Sequence, residues 1–135
     1  MKKLSLFGML LLILLAGCQF ENIPDVIEHQ GGNFENDEYF GAFIENIEAD
    51  TSDQVDYVRY GEEGEEIVTK LRFNGYEIHV GTYVGWRTIE KFTCLSAEQQ
   101  GFEESISFQL KDCSGDITGH LELASYPLSS EEENQ

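Results

Sequence analysis

The segment "EIVTKLRFNGYEIHVGTY", residues 66–83, constrains the fold more than any other. Ile67, Thr69, Leu71 and Phe73 fall on one face of an extended chain while Val68, Lys70 and Arg72 fall on the other, the alternation of a half-buried strand. Asn74-Gly75 follows at once, a pair that favours the positive φ angles of a type I′ turn. The returning segment sets Tyr76, Ile78 and Val80 on a single face, so the spacing predicts a β-hairpin.

Strand signals continue on both sides of it. "QVDYVRY" predicts a preceding strand with Gly61 to Gly64 as its turn, and "WRTIEKFTCLS" and "SISFQLKDC" predict two more, joined by a loop over 97–104. "ITGHLELASY" adds a short edge strand with Ile117, Leu121 and Leu123 inward, ended by Pro127. Ahead of these, Tyr39, Phe40, Phe43, Ile44 and Ile47 follow the period of one helix face. Asn36 is the expected N-cap, Asp37 and Glu38 suit the positive end of the helix dipole, and the helix is expected to end near Ala49. The expected fold class is α+β: one N-terminal amphipathic helix packed on an antiparallel meander sheet of about five to six strands, with one disulfide.

The first residues read as an export signal. Lys2 and Lys3 precede an apolar run from Leu4 to Leu15, and Ala16-Gly17 are small enough to sit beside a peptidase cut. A run of about 12 residues covers roughly 18 Å, well short of a ~30 Å hydrocarbon core, so the segment is expected to be cleaved rather than to span a membrane. Leu15-Ala16-Gly17-Cys18 resembles the bacterial lipobox, which implies a diacylglyceryl-Cys18 carrying long acyl chains such as palmitate. The other reading is an ordinary secretory signal with a stray cysteine. The expected organisation is a lipoprotein signal peptide over 1–17, a lipidated cysteine and tether over 18–32 with room for a short ordered stretch at Asp25-Val26-Ile27, a single α+β domain over 33–126, and an acidic disordered tail over 127–135.

Composition narrows the partners. The chain has 26 Asp and Glu against eight Lys and Arg, a formal net charge of −18. Loss of Lys2 and Lys3 with the leader makes the remainder more acidic still. Such a charge disfavours nucleic acid and repels an anionic lipid surface. It fits either attraction of cationic partners or a well-hydrated surface adapted to its surroundings. With Cys18 lipidated, Cys94 and Cys113 form an even pair in an oxidising compartment, and the two strands that carry them place both at one end of a hairpin. A disulfide there would contribute about 3 kcal/mol. The alternative is a reactive or metal-binding thiol pair, although C-x-x-C spacing is missing.

"DVIEHQG", "VRYGEEGEEIVTKLRFNGYEI", the "TC" at Cys94 and the "LKDC" at Cys113 together resemble a family of small uncharacterised lipoproteins, a domain of unknown function from Bacillus and related Gram-positive bacteria. The resemblance extends from about Asp25 to Leu123. It implies location and shape, and no mechanism.

Candidate chemistry is sparse. His29, His79 and His120 stand singly, no catalytic or nucleotide-binding fingerprint occurs, and no catalytic residue is assigned. Glu62, Glu63, Glu65 and Glu66 crowd one turn, and Asp50, Asp53 and Asp56 crowd a strand entry. Clustered carboxylates suit weak cation binding, but no D-x-[DN]-x-[DN]-G loop is present, so the glutamates stand only as weak metal candidates and no cofactor is expected. Trp86 and Tyr83, beside a glycine turn, are the candidate binding surface. The functional expectation is a lipid-anchored, extracytoplasmic, non-catalytic binding or accessory module with a cell-surface protein partner. The alternatives are a cation- or small-ligand-binding lipoprotein, and a thiol or redox enzyme using Cys94 and Cys113.

Overall fold

The computed structural model describes residues 22–128. The signal segment, Cys18 and the tail from 129 onward lie outside the described residues. Within them, strands dominate: β1 (Asp25–Glu28), β2 (Phe34–Glu35), β3 (Asp53–Tyr60), β4 (Glu66–Phe73), β5 (Ile78–Val84), β6 (Arg87–Gly101), β7 (Ser105–Gly115) and β8 (Gly119–Pro127), with one helix, α1 (Glu38–Glu48).

These strands form one eight-stranded sheet in the order β2-β1-β3-β4-β5-β6-β7-β8. From β3 to β8 it is an antiparallel meander. β1, however, pairs in parallel with β3, in the register Asp25 with Asp56 and Val26 with Tyr57. The sheet is therefore mixed, and it is curled. This overturns the α+β expectation of a helix lying on a five- to six-stranded meander: the protein is mostly β, and its short helix is the crossover that parallel pairing requires. Part of the segment expected as tether supplies β1, whose turn back to β2 closes on a hydrogen bond from the His29 N–H to the Asn33 carbonyl (2.8 Å).

The core fills the concave side. β3, β4, β5 and β6 contribute Val55 and Tyr57, Leu71 and Phe73, Ile78 and Val80, and Phe92 and Cys94, all buried and two residues apart as a pleated sheet demands. α1 adds Phe40, Phe43 and Ile44, while Tyr39 remains exposed. Phe40 is the hub: its ring lies 4.7 Å from Phe108, 5.6 Å from Tyr126 and 5.6 Å edge-on from Tyr57. At the sheet's two edges, Phe34 of β2 and Tyr126 of β8 meet at 5.7 Å, which nearly closes the curl.

Three local expectations are corrected. Asn36 does not cap the helix. It adopts a left-handed conformation (φ 62°) and its side chain donates to the Asp25 carbonyl (3.2 Å), while Asp37 occupies the N-cap position. The hairpin between β4 and β5 turns through Asn74 to Glu77 rather than through two residues, since Phe73 pairs with Ile78. The Asn74 side-chain oxygen accepts the N–H groups of Tyr76 and Glu77 (both 2.9 Å), and positive φ is confined to Gly75 (φ 100°). Finally, β6 runs on through the expected loop at 97–104, pairing Gly101 with Ile106.

Candidate functional site

The outer, convex face of β4 to β7 carries a groove of about 610 Å³. Sheet register builds it. Lys70 of β4 pairs with Gly81 of β5, which pairs with Lys91 of β6, so two lysines flank a residue without a side chain. One row below, Arg72 pairs with His79 and His79 with Thr93, whose β7 partner is Ser114.

Tyr83, two residues beyond Gly81, folds its ring back over the glycine. A Cβ on Gly81 would come within 2.6 Å of the Tyr83 hydroxyl, so a side chain there would displace the ring from this position. The Lys70 ammonium lies 5.0 Å from the centroid of the same ring, an attraction between a cation and an aromatic face.

The cations differ in how far they are already satisfied. Arg72 is committed: its guanidinium lies 2.7 Å from Asp56 Oδ1, a contact close in distance without hydrogen-bond alignment, and donates to the Leu71 (3.0 Å) and Val55 (3.3 Å) carbonyls. His79 lies 3.2 Å from Glu77. Lys70 and Lys91, by contrast, have no carboxylate within 4.0 Å among the described residues. Of the chain's eight Lys and Arg residues, Lys70, Arg72 and Lys91 line this one groove. A concentration of cations on a protein of net charge −18 is the reverse of what the composition presents elsewhere.

The residues singled out from sequence are distributed as follows. Tyr83 forms the wall of the groove and is half-buried, and Trp86 is fully exposed at the β5–β6 tip. Glu62, Glu63, Glu65 and Glu66 are all exposed around the β3–β4 turn, where Glu65 folds back to accept the Glu63 N–H (3.1 Å). Asp53 and Asp56 are turned to separate tasks: Asp53 accepts from the Asn46 side chain (2.8 Å), and Asp56 faces Arg72. Among the described residues no three His, Cys, Asp or Glu side chains converge as a metal site would require. Cys94 and Cys113 are bonded to each other directly across the β6–β7 pair, and both are buried. Neither sulfur is free to act as a thiolate while that bond stands.

Sequence reasoning placed Lys70 and Arg72 on an outward face and did not bring Lys91 to them. The available signal was Gly81, an isolated glycine inside a strand pattern, which marks close approach or a bulge. Both occur: the β5–β6 register shifts at Thr82/Tyr83, directly beside it. Comparison with known proteins adds no relative to this geometry, since no protein-family model matches the chain and neither curated proteins nor solved structures give a significant match.

Proposed function

We propose that the chain is an extracytoplasmic lipoprotein, anchored through Cys18, that works by binding, with the convex groove as its contact surface. The observation that carries this reading is the gathering of Lys70, Arg72 and Lys91 in one concavity of a strongly acidic protein. Lys70 and Lys91 have no carboxylate partner among the described residues, so a negatively charged group entering the groove would gain from both. The chain enters the domain at residues 22–24, level with the start of β3, whereas Trp86 lies level with its end, because Arg59 pairs with Ile67 and Ile67 with Val84. An anchor at Cys18 would join the domain at the end opposite Trp86.

The test is photo-crosslinking of the full-length protein on intact cells, followed by mass spectrometry of the membrane fraction. One recurrent partner is expected, lost when Lys70 and Lys91 are both changed to Glu. The Cys18→Ala chain is expected to leave the membrane fraction. Retention of that variant would remove the lipid anchor from the reading, and an unchanged partner set in the charge-reversed variant would remove the groove.

A further inference from the structure

We infer that the groove is a site for a phosphate group, seated beside the Tyr83 hydroxyl between the ammonium groups of Lys70 and Lys91. The inference rests on the groove being the binding surface and names the chemistry that surface takes.

Register places the two lysines on either side of Gly81, two strand spacings apart, which separates their backbones by about 10 Å. That gap suits a compact group contacted from both sides by flexible side chains. Between them the Tyr83 hydroxyl sits over Gly81, and in the next row of the same groove the paired Thr93 and Ser114 add hydroxyl donors. Ammonium and hydroxyl groups are donors to an oxyanion, and none of these is drawn into an ion pair among the described residues.

The number of free cations selects the anion. An arginine fork would hold a carboxylate or a phosphate equally well, and the one arginine here is occupied by Asp56 and two backbone carbonyls. The free cations are lysines, which act as point charges without a preferred planar partner. A phosphate offers three acceptor oxygens and charge enough for two ammonium groups. The surrounding charge favours a small group over an extended acidic surface. A ligand within about 8 Å of the lysines feels them at physiological salt, whereas a broad polyanion also meets the acidic remainder of the protein.

The experiment uses the full-length chain, ¹⁵N-labelled in neutral detergent, titrated with inorganic phosphate, with glycerol 3-phosphate, and with acetate at matched ionic strength. The amide resonances of Gly81, Thr93 and Ser114 are expected to shift with both phosphates and not with acetate. Joint substitution Lys70→Gln and Lys91→Gln is expected to weaken binding roughly tenfold or more, the loss of charge-assisted hydrogen bonds. Lys111→Gln, at a lysine paired with Glu98 outside the groove, is the control and is expected to change nothing. A thermal melt of each variant separates lost binding from lost folding. Flotation of the Cys18→Ala chain with phosphatidylcholine vesicles, with and without phosphatidic acid, distinguishes the sources of the phosphate. Flotation that needs both phosphatidic acid and the two lysines assigns a lipid headgroup, and its absence beside a soluble-phosphate response assigns a soluble ester. If acetate shifts the same resonances as far as phosphate, the groove still binds and the phosphate assignment is overturned. If no salt shifts them and crosslinking on cells ignores Lys70 and Lys91, the groove itself is not the binding surface.

Discussion

The ring of Phe34 packs 5.7 Å from the ring of Tyr126, although the two residues belong to strands at opposite edges of the sheet. This contact joins what would otherwise be two open edges, and both rings also lie against the helix hub or its neighbours: Phe34 stacks at 6.5 Å on Tyr57, and Tyr126 lies 5.6 Å from Phe40. Phe34→Ala is expected to destabilise the fold by about 1–3 kcal/mol, less than a fully buried phenylalanine because Phe34 is only partly covered. A double-mutant cycle with Tyr126→Leu, read by urea unfolding, is expected to show coupling of about 0.5–1.5 kcal/mol. Strict additivity would mean that the edges do not meet in solution.

The disulfide joins residues directly opposite each other in β6 and β7 and closes a span of 19 residues. Replacing both cysteines with alanine is expected to cost about 2–4 kcal/mol. The native domain is expected to take up no alkylating agent at Cys94 or Cys113 before reduction, as intact mass would show. Modification of either sulfur without reductant would revive the thiol reading.

Gly115 combines two constraints that no other glycine described here combines. Its φ is +117°, outside the range that side chains tolerate, and an added Cβ would stand 3.0 Å from the Phe92 Cα and 3.1 Å from the Lys91 carbonyl. Gly85 has φ +59° and open space around it. Gly115→Ala is expected to cost about 2–4 kcal/mol in a thermal melt, and Gly85→Ala about 1 kcal/mol. Equal costs would place the Gly115 penalty in the backbone angle alone.

Burial pushes the Tyr57 hydroxyl well above the ordinary tyrosine value of 10.0, and its hydrogen bond to the Glu28 carboxylate pushes in the same direction. A group whose folded value is raised binds its proton more tightly in the native state. Its stabilisation is complete below the unfolded value and is lost as pH rises beyond it. Urea midpoints are therefore expected to fall above about pH 10, and Tyr57→Phe is expected to flatten that fall without abolishing it, since burial also raises the Tyr126 hydroxyl. An identical alkaline slope in the variant would assign the loss to other groups.

Legibility followed hydrophobic alternation. β4 coincides with the segment read from its period of two, because one of its faces is buried and the other is not. The same logic missed the continuation of β6. Among its last residues Ala97 and Gln99 face Leu110 and Phe108 across the pair, and Gln99 is held by a hydrogen bond to the Tyr126 hydroxyl rather than by apolar burial. A ladder can persist where hydrophobic contrast has faded. β1 and β2 are too short for a period to register, so the mixed sheet was hidden by the same cause. The groove was hidden for another reason: Lys70 and Lys91 become neighbours of Gly81 only through the register of three strands, one of which carries a bulge.

The pairing of β1 with β3 also bears on how the described residues would meet a mechanical load. A pull on residue 22 away from the body of the protein runs along β1, nearly collinear with the strand, and so stresses the Asp25 to Ile27 ladder as a unit in shear. A pull applied across the strand instead would open its hydrogen bonds one after another like a zip. Tension applied at residue 22 along the strand would thus be shared by the three paired residues of β1 rather than taken by one at a time.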